Sequence, residues 1–587
     1  MGVPVSWPKR RWVMRQPDPA GIATLCSAAQ SWAPPVSPLL ATLLLNRGVD
    51  SPERASAFLS PTLRTGLRSP LLFPDMARAT ERILRARVHG ERVCIYGDYD
   101  VDGVTGSSQL LLFLRELGMA PDLYIPHRTR EGYGLNSQAM RTIAERGTTV
   151  MITADCGATA HNEITLAQSL GVDVIVCDHH HVPEQRLPAY AVLNPMEKAC
   201  PFSFSGLSGA GVVFYLLMGL RMRLREQGEE QVPDLRRYLD LVTLGTVADL
   251  VPLVEENRVL VTHGLREIER SQRPGICALK EVSGEAEVSS SYIGFRLGPR
   301  INAGGRLAEA QQAVELLTTE HIERARELAV DLDQENRERQ GIEEAILQNA
   351  VATVESWPDL PQRRSIVLAS AEWHPGVIGI VASRLVERFH RPTFLIAVDG
   401  EKGKGSGRSP KVFHLYEGLQ ACAAWLDGYG GHRQAAGLSI QTQRIDSFAA
   451  QFEATAQARL TAEDLLPETE VDAEVDLASL SGETMAEVRR LEPYGQGNPD
   501  PVFLARQAQV VSARIVGGNP LVGKAGHLKL LLRSAHGGRP VDAIGFGMAD
   551  APIVQGGHLD LLYTPEINVW NGNASLQLRL RDLQIAH

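Results

Sequence analysis

Three short apolar runs in the first half of the chain each end on acids: "RVCIYG" (92–97) leads into "DYDVDG", "TTVMITA" (148–154) into "DCG", and "VDVIVC" (172–177) into "DHHH". Runs of this length between amphipathic helical stretches predict strands of a parallel sheet covered on both faces. "DLYIP" (122–126) and "YAVLN" (190–194) complete the set. Open parallel sheets carry their working crevice at the carboxyl ends of the strands. Motifs far apart in sequence therefore converge, bringing Asp98, Asp100, Asp102, Asp155, Asp178, His179, His180 and His181 towards one place.

Crowded carboxylates raise one another's pKa and resist ionising together unless something positive sits among them. Asp249, a lone acid inside the apolar run "GTVADLVPL", has the same need, although alone it would pass for a helix cap or an arginine-paired acid. Five or more carboxylates with imidazole suit Mn²⁺ or Mg²⁺. Zinc fits less well, because the acids outnumber the histidines and there is no cysteine pair. An EF-hand calcium loop fits poorly too, since "DYDVDG" runs straight into an apolar helix without the distal glutamate. Carboxylates shared by two ions about 3.5–4 Å apart form an arrangement suited to phosphoryl hydrolysis.

A chain of 587 residues exceeds one core. The pattern predicts an α/β architecture: a helical N-terminal segment over 1–80, a parallel-sheet domain over 81–255, and a helical region over 256–355. That region contains a long helix joining a second, smaller α/β domain over 356–458. A C-terminal all-β barrel of OB type over 465–587 follows, with five short strands such as "SLQLRLRDL", where Leu576, Leu578 and Leu580 alternate with polar residues. The net charge of -10 excludes a wholly basic nucleic-acid coat but not a local basic channel. "EKGKGSGRSPK" (401–411) holds four basic residues against one acid and, taken alone, reads as a solvated loop. Seven cysteines scattered singly point to the cytoplasm. No apolar run is long enough to span a membrane, and the N-terminus lacks the apolar stretch of a secretory signal.

The set "DYDVDG", "ADCG", "DHH" and "VADLVPL", in that order, resembles the DHH phosphoesterase superfamily. The further segments "RLGPRINAGGR", "WHPGVIGIVASRL", "GSGRS", "GGHRQAAG" and "PYGQGNPDPVF" narrow the resemblance to its bacterial single-strand-specific exonucleases, from about residue 75 to the end. It implies a DHH domain, a DHH-associated (DHHA1) domain and an OB-fold. It implies two divalent ions, Mn²⁺ or Mg²⁺: Asp98, Asp100 and Asp155 would hold one, and Asp102, Asp155, His179 and Asp249 the other. His180 would face the scissile phosphate, and Asp100 and Asp102 would count with it as catalytic. Asp178 either orients a neighbour or binds directly.

Arg306, Ser406 and Arg408 would recognise a terminal 5′-phosphate, with Arg128 as a further substrate contact. His432 either touches substrate or is a satisfied core histidine. Ser383 and Arg384 either face the strand or pack. Tyr494, Phe503, Phe546, Tyr563 and Trp570 are the barrel aromatics on which bases could stack. The implied activity is 5′→3′ exonucleolytic release of mononucleotides from single-stranded DNA, in recombination and repair. It would belong to a monomer, with single-strand-binding protein and a RecQ-type helicase as partners. Two rivals remain. One is a phosphodiesterase of the same superfamily acting on short RNA or cyclic dinucleotides, which would need neither barrel nor bridging helix. The other is a non-catalytic strand-binding scaffold, which would be expected to lack metal ligands.

Overall fold

A computed structural model describes residues 10–128, 130–284, 286–307, 310–518, 526–553, 555–570 and 573–586. It divides into two units, residues 62–465 and residues 1–61 with 466–587.

The first unit begins with a five-stranded parallel sheet. Its spatial order is Asp122–Tyr124, Val93–Gly97, Val150–Ala154, Asp173–Cys177, Ala191–Leu193. The chain steps to one edge after the first strand and returns across it to build the other side. The order therefore reverses between Val93–Gly97 and Val150–Ala154, and such a switch point opens a crevice at the strand ends. Both central strands are buried throughout, as their unbroken apolar sequences require. The helix Val101–Glu116 leaves the crevice immediately. Its small first turns let it lie close to the sheet: a Cβ at Gly106 would stand 3.3 Å from that of Ala154.

The helix Ile322–Glu355 runs without a break from the core of this domain to that of the next. Ala325, Leu328 and Leu332 pack in the first core, and Ile346, Ala350 and Val354 in the second. Glu343, buried midway, pairs with Arg339 at 2.8 Å and Arg384 at 2.6 Å. Arg384 is thereby spent on packing the helix Ile378–Phe389 against the long one, and Ser383 donates to the Gly379 carbonyl within its own helix.

The second domain corrects the reading of 401–411 as a loop. Lys402–Arg408 is the central strand of a mixed five-stranded sheet, between Thr393–Asp399 and Ala435–Gln441. The alternation K-G-K-G-S-G-R is a period-two pattern whose apolar partners lie on neighbouring strands. Cβ atoms at Gly403, Gly405 and Gly407 would run into Ile396, Leu438 and Phe394. Glycine leaves that room on the core face, while Lys402, Lys404, Ser406 and Arg408 share the other face.

In the second unit, Phe503–Val516, His527–Ser534, Gly537–Gly545, Asn573–Ile585 and His558–Trp570 follow one another round a closed barrel. One adjacent pair is parallel and the rest antiparallel. The N-terminal helices are seated on it. Leu25, Leu40, Leu43 and Phe58 share one core with Phe503, Leu561 and Tyr563, and Arg11–Met14 pairs in parallel with Glu468–Val471. The helical N-terminal segment thus ends at Pro61, and residues from Thr62, including the helix Met76–His89, belong to the first unit.

Candidate metal centre and phosphate site

The loop after Val93–Gly97 is built by capping. Asp100 caps the helix Val101–Glu116, its Oδ1 accepting from the amides of Asp102 (2.9 Å) and Gly103 (3.2 Å). Asn302 Oδ1 accepts from the Val101 amide at 3.1 Å and holds the loop from outside. Asp102 reaches across to the N-terminus of the helix Gly209–Glu226, accepting from Gly209 at 2.5 Å and Ala210 at 3.0 Å. A helix N-terminus stabilises such a carboxylate.

Asp155 follows Val150–Ala154 with φ 65°, in the left-handed region where non-glycine residues are uncommon. Gly209 permits this arrangement, since a Cβ there would stand 2.5 Å from Asp155 Cβ. Asp249 lies at the C-terminus of the helix Leu239–Ala248, the end that repels an anion. Its amide closes the helix on the Gly245 carbonyl at 2.9 Å, but its carboxylate serves no capping purpose.

These elements bring Asp98, Asp100, Asp102, Asp155, His179, His180 and Asp249 together. Ligand atoms of Asp98, Asp100 and Asp155, of Asp102, His179 and Asp249, and of Asp155, His179 and His180 each lie within 4.8 Å of one another. His179 Nε2 is 3.2 Å from Asp155 Oδ1, 3.5 Å from Asp249 Oδ2 and 3.9 Å from Asp102 Oδ2. Yet among the described residues His179 Nε2, Asp155 Oδ1 and Asp98 Oδ1 are buried and find no hydrogen-bond partner. Buried polar atoms are normally satisfied. Donors that face a common point rather than each other fit a divalent cation, and the oxygen-rich set suits Mn²⁺ or Mg²⁺. His181 has no place in these groups.

The charges agree with that reading. Burial, then Asp100, pushes Asp102 up to about 7, and burial, then Asp102 and Asp100, pushes Asp249 up to about 9. Burial, then Asp100, raises Asp98; burial, then Asp102, Asp100, Asp249 and Asp98, raises Asp155. His179 is lowered to about 4 by burial and by His180, which keeps its ring neutral as a ligand must be. Burial also works against a charged His180, but its 2.8 Å hydrogen bond to Asp178 prevails and raises it to about 9. Asp178, despite burial, is lowered by the same bond and accepts from the amides of Ala158, His179 and His180. Its oxygens are thus engaged in orienting the DHH turn.

A pH dependence follows. Without an ion, the raised carboxylates keep protons near neutrality. They favour the folded state below the unfolded carboxylate range, and that contribution is lost as pH rises through about 7 and about 9. Ion binding must expel those protons. Mn²⁺ affinity is expected to rise by about tenfold or more per pH unit between about pH 6 and 8. Calorimetry in buffers of different ionisation enthalpy would detect the released protons; a pH-independent affinity would contradict the assignment.

The second cluster is basic. Arg408 donates to the Gly407 carbonyl at 2.8 Å and to Ser406 Oγ at 3.4 Å. Among the described residues it has no ion-paired carboxylate, and burial, then nearby Arg128, lowers its pKa. The N-terminus of Ile378–Phe389 has no side-chain cap and lies alongside: a Cβ at Gly379 would stand 2.8 Å from Ser406 Oγ and 3.3 Å from Arg408 Nη2. Arg128 stacks over Tyr99, 4.8 Å from the ring centroid, beside the first acidic motif. Two guanidiniums and an uncapped helix start are the kind of donor set that an anion site uses. The side chain of Arg306 lies outside the described residues. His432 is exposed at a hairpin, so it is not a core histidine.

Three contributors escaped the sequence. Asn302 and the Ser208–Ala210 helix start act across long separations, although the cap signal in "SGAGVV" was present. Tyr133 donates to the Asp155 carbonyl at 3.3 Å and stands 3.2 Å from His180 Nδ1.

Comparison with known proteins returns three family models: the DHH family N-terminal domain over residues 92–246, the DHHA1 domain over 363–458 and the RecJ OB domain over 471–582. The chain is 38% identical to the single-stranded-DNA-specific exonuclease RecJ of Bacillus subtilis, covering 98% of this chain and 71% of the relative. It is 36% identical to the Escherichia coli protein of the same name, covering 92% and 95%. The crystal structure of RecJ from Thermus thermophilus in complex with Mn²⁺ matches with a TM-score of 0.82 at 31% identity, over 98% of this chain and 80% of that one. The Mg²⁺ complex of RecJ from that organism matches at 0.75 and 30%, over 98% and 79%.

Proposed function

This chain belongs to the RecJ family, and from that premise we propose that it degrades single-stranded DNA from the 5′ end, releasing 5′-mononucleotides in recombination and repair. The observation that carries the reading is the convergence of orphaned metal donors at the switch point with an unpaired arginine site on the facing domain. Asp98, Asp100 and Asp155 would hold one divalent ion, and Asp102, Asp155, His179 and Asp249 the second. Bound there, such ions supply Lewis-acid activation of water and neutralise charge on the reacting phosphate.

The chain's own residues do the rest. Asp178 engages His180 Nδ1 and leaves Nε2 for a phosphate oxygen. The resulting imidazolium opposes the negative charge that grows there. Ser406, Arg408 and Arg128 hold the terminal 5′-phosphate and fix which bond meets the metal donors, with Arg306 and His432 proposed as further contacts. Among the described residues no helix is long and apolar enough to cross a membrane. Seven cysteines, none in a disulfide, suit the cytoplasm we propose.

The barrel would hold the strand. Tyr563 and Phe503 are fully buried, Tyr494 donates to the Val488 carbonyl at 2.6 Å, and the side chain of Trp570 lies outside the described residues. Phe546 is 53% exposed, with Arg579 over its ring at 5.7 Å and the His527 ring at 5.2 Å. A base stacked there is expected to contribute about 1–3 kcal/mol. Phe546→Ala should therefore weaken strand binding by about 5- to 150-fold in fluorescence anisotropy without lowering the melting temperature. Unchanged affinity would remove Phe546 from the path.

The deciding assay uses a 5′-phosphorylated strand labelled at either end, with Mn²⁺, Mg²⁺ or chelator, and a hairpin duplex and an RNA strand alongside. Metal-dependent release of mononucleotides from the 5′ end, absent in Asp100→Ala, is expected. Tight binding without cleavage under any metal would overturn the reading in favour of a scaffold.

A further inference from the structure

The helix Gly209–Glu226 starts at the metal centre, where its first amides hold Asp102. Further along it, Phe214, Met218 and Arg221 fall at i, i+4 and i+7 and share one face. That face borders a groove of about 420 Å³, roughly 8–18 Å along the helix axis from Gly209. The turn with Leu63 and Leu67 and the residues Leu235 and Leu239 complete its lining. Phe214, Leu235 and Leu239 belong to the core and make a fixed apolar floor. Leu63, Leu67 and Met218 pack against that core only in part, so they keep apolar surface towards the groove.

The charge around the groove is cationic. Arg64, Arg221 and Arg236 line it against one acid, Asp234. Arg236 already occupies that acid, with Nε at 2.9 Å and Nη2 at 2.6 Å from Oδ2. Among the described residues no carboxylate lies within ion-pair distance of Arg64 or Arg221, and Arg221 Nε is buried without a hydrogen-bond partner. Burial, then Arg225, lowers the pKa of Arg221. A cation held there without a counter-charge is costly, and a carboxylate brought to the groove would relieve that cost.

A basic patch suits either a nucleic-acid strand or an acidic protein segment, and the walls decide between them. A strand needs exposed ring faces to stack on, whereas the aromatic ring of this groove, Phe214, is buried. Half-buried leucine and methionine framed by arginine match a protein interface, an apolar anchor site inside a charged rim. The chain as a whole carries a net charge of -10, so an acidic segment is repelled in general and drawn to this place in particular.

We propose that this groove docks an acidic amphipathic segment of a partner protein, its apolar side chains against Leu63, Leu67 and Met218 and its carboxylates on Arg64 and Arg221. The groove shares no residue with the metal or phosphate sites, so the proposal stands apart from the exonuclease reading.

Random peptides displayed on phage are selected on the full chain, and the most enriched sequence is synthesised for calorimetry. Two double variants accompany wild type. Arg64→Glu/Arg221→Glu reverses the rim, and Leu63→Ser/Met218→Gln removes the apolar contact. Both should digest a 5′-phosphorylated strand at the wild-type rate, which also reports that they fold. The enriched peptides should carry Asp or Glu beside Leu, Ile, Phe or Met. Each double variant should bind the synthetic peptide at least about tenfold more weakly than wild type, and added salt should weaken the wild-type complex. Affinity for single-stranded oligothymidylate in chelator should be equal in all three proteins. No enrichment, or peptides that bind all three proteins equally, would overturn the proposal. So would a loss of oligothymidylate affinity in the charge-reversed variant, because the groove would then lie on the path of the strand.

Discussion

Asp155→Asn is expected to lower kcat by about 10³-fold, roughly 4 kcal/mol of barrier, while making the metal-free protein more stable at alkaline pH, where the wild-type carboxyl ionises. Asp155 belongs to two of the three donor groups, so neutralising it weakens both at once. Its carboxylate is buried among Asp102, Asp100, Asp249 and Asp98, and this crowding raises its pKa. An amide relieves that repulsion. Asparagine also tolerates φ 65° better than most residues, so the turn should persist. The backbone is held independently, by the Asp155 amide on the Cys177 carbonyl at 2.9 Å and by Thr153 Oγ1 on the Cys156 carbonyl at 2.7 Å. Without metal the melting temperature should rise by about a degree or two at alkaline pH and change little near neutrality. The stabilisation that Mn²⁺ gives wild type should disappear. Asp155→Ala would lose activity equally but gain less stability, because alanine is strained at positive φ. A variant that keeps both the Mn²⁺ shift and a rate near wild type would remove Asp155 from the centre.

The opposite movement of rate and stability explains why this site was legible in the sequence while much around it was not. Chemistry at strand ends leaves a local mark, since an apolar run must stop where charged donors begin, as at Gly97, Ala154 and Cys177. Contacts that support the site leave no mark of their partner, even where one end, as in "SGAGVV", carries a cap signal. Asn302 reaches Val101, and Asp102 reaches the start of Gly209–Glu226, each across a long stretch of chain. The strand Arg11–Met14 pairs with the distant Glu468–Val471, and nothing in "RWVM" announces that partner. The strand Lys402–Arg408 failed differently. Its period was on the page, but glycine and lysine are poor strand formers, and only Phe394, Ile396 and Leu438 on neighbouring strands explain why small residues belong there. Asp249 shows the converse: taken alone it could pass for a helix cap, but it lies at the helix end where a negative charge is unwelcome.

Arg408→Ala is expected to reduce kcat/KM on a 5′-phosphorylated strand by about 100-fold, roughly 2.7 kcal/mol, and to leave a 5′-hydroxyl strand within a few-fold. A half-buried guanidinium with no carboxylate partner among the described residues is costly, and Arg128 adds to the cost by lowering its pKa further. A phosphate arriving between the two removes both penalties at once, so binding energy already stored in the fold is released only by a strand bearing that group. Arg408→Lys keeps the charge but loses the planar fork, and should recover only about tenfold of the loss. Removing the like charge should also raise the melting temperature slightly, which separates a recognition role from a structural one. The comparison of the two 5′ ends is the sensitive readout. If Arg408→Ala slows both strands equally, Arg408 acts on the scissile phosphate and not on the terminal one. The choice of the 5′ end would then have to come from elsewhere in the cleft.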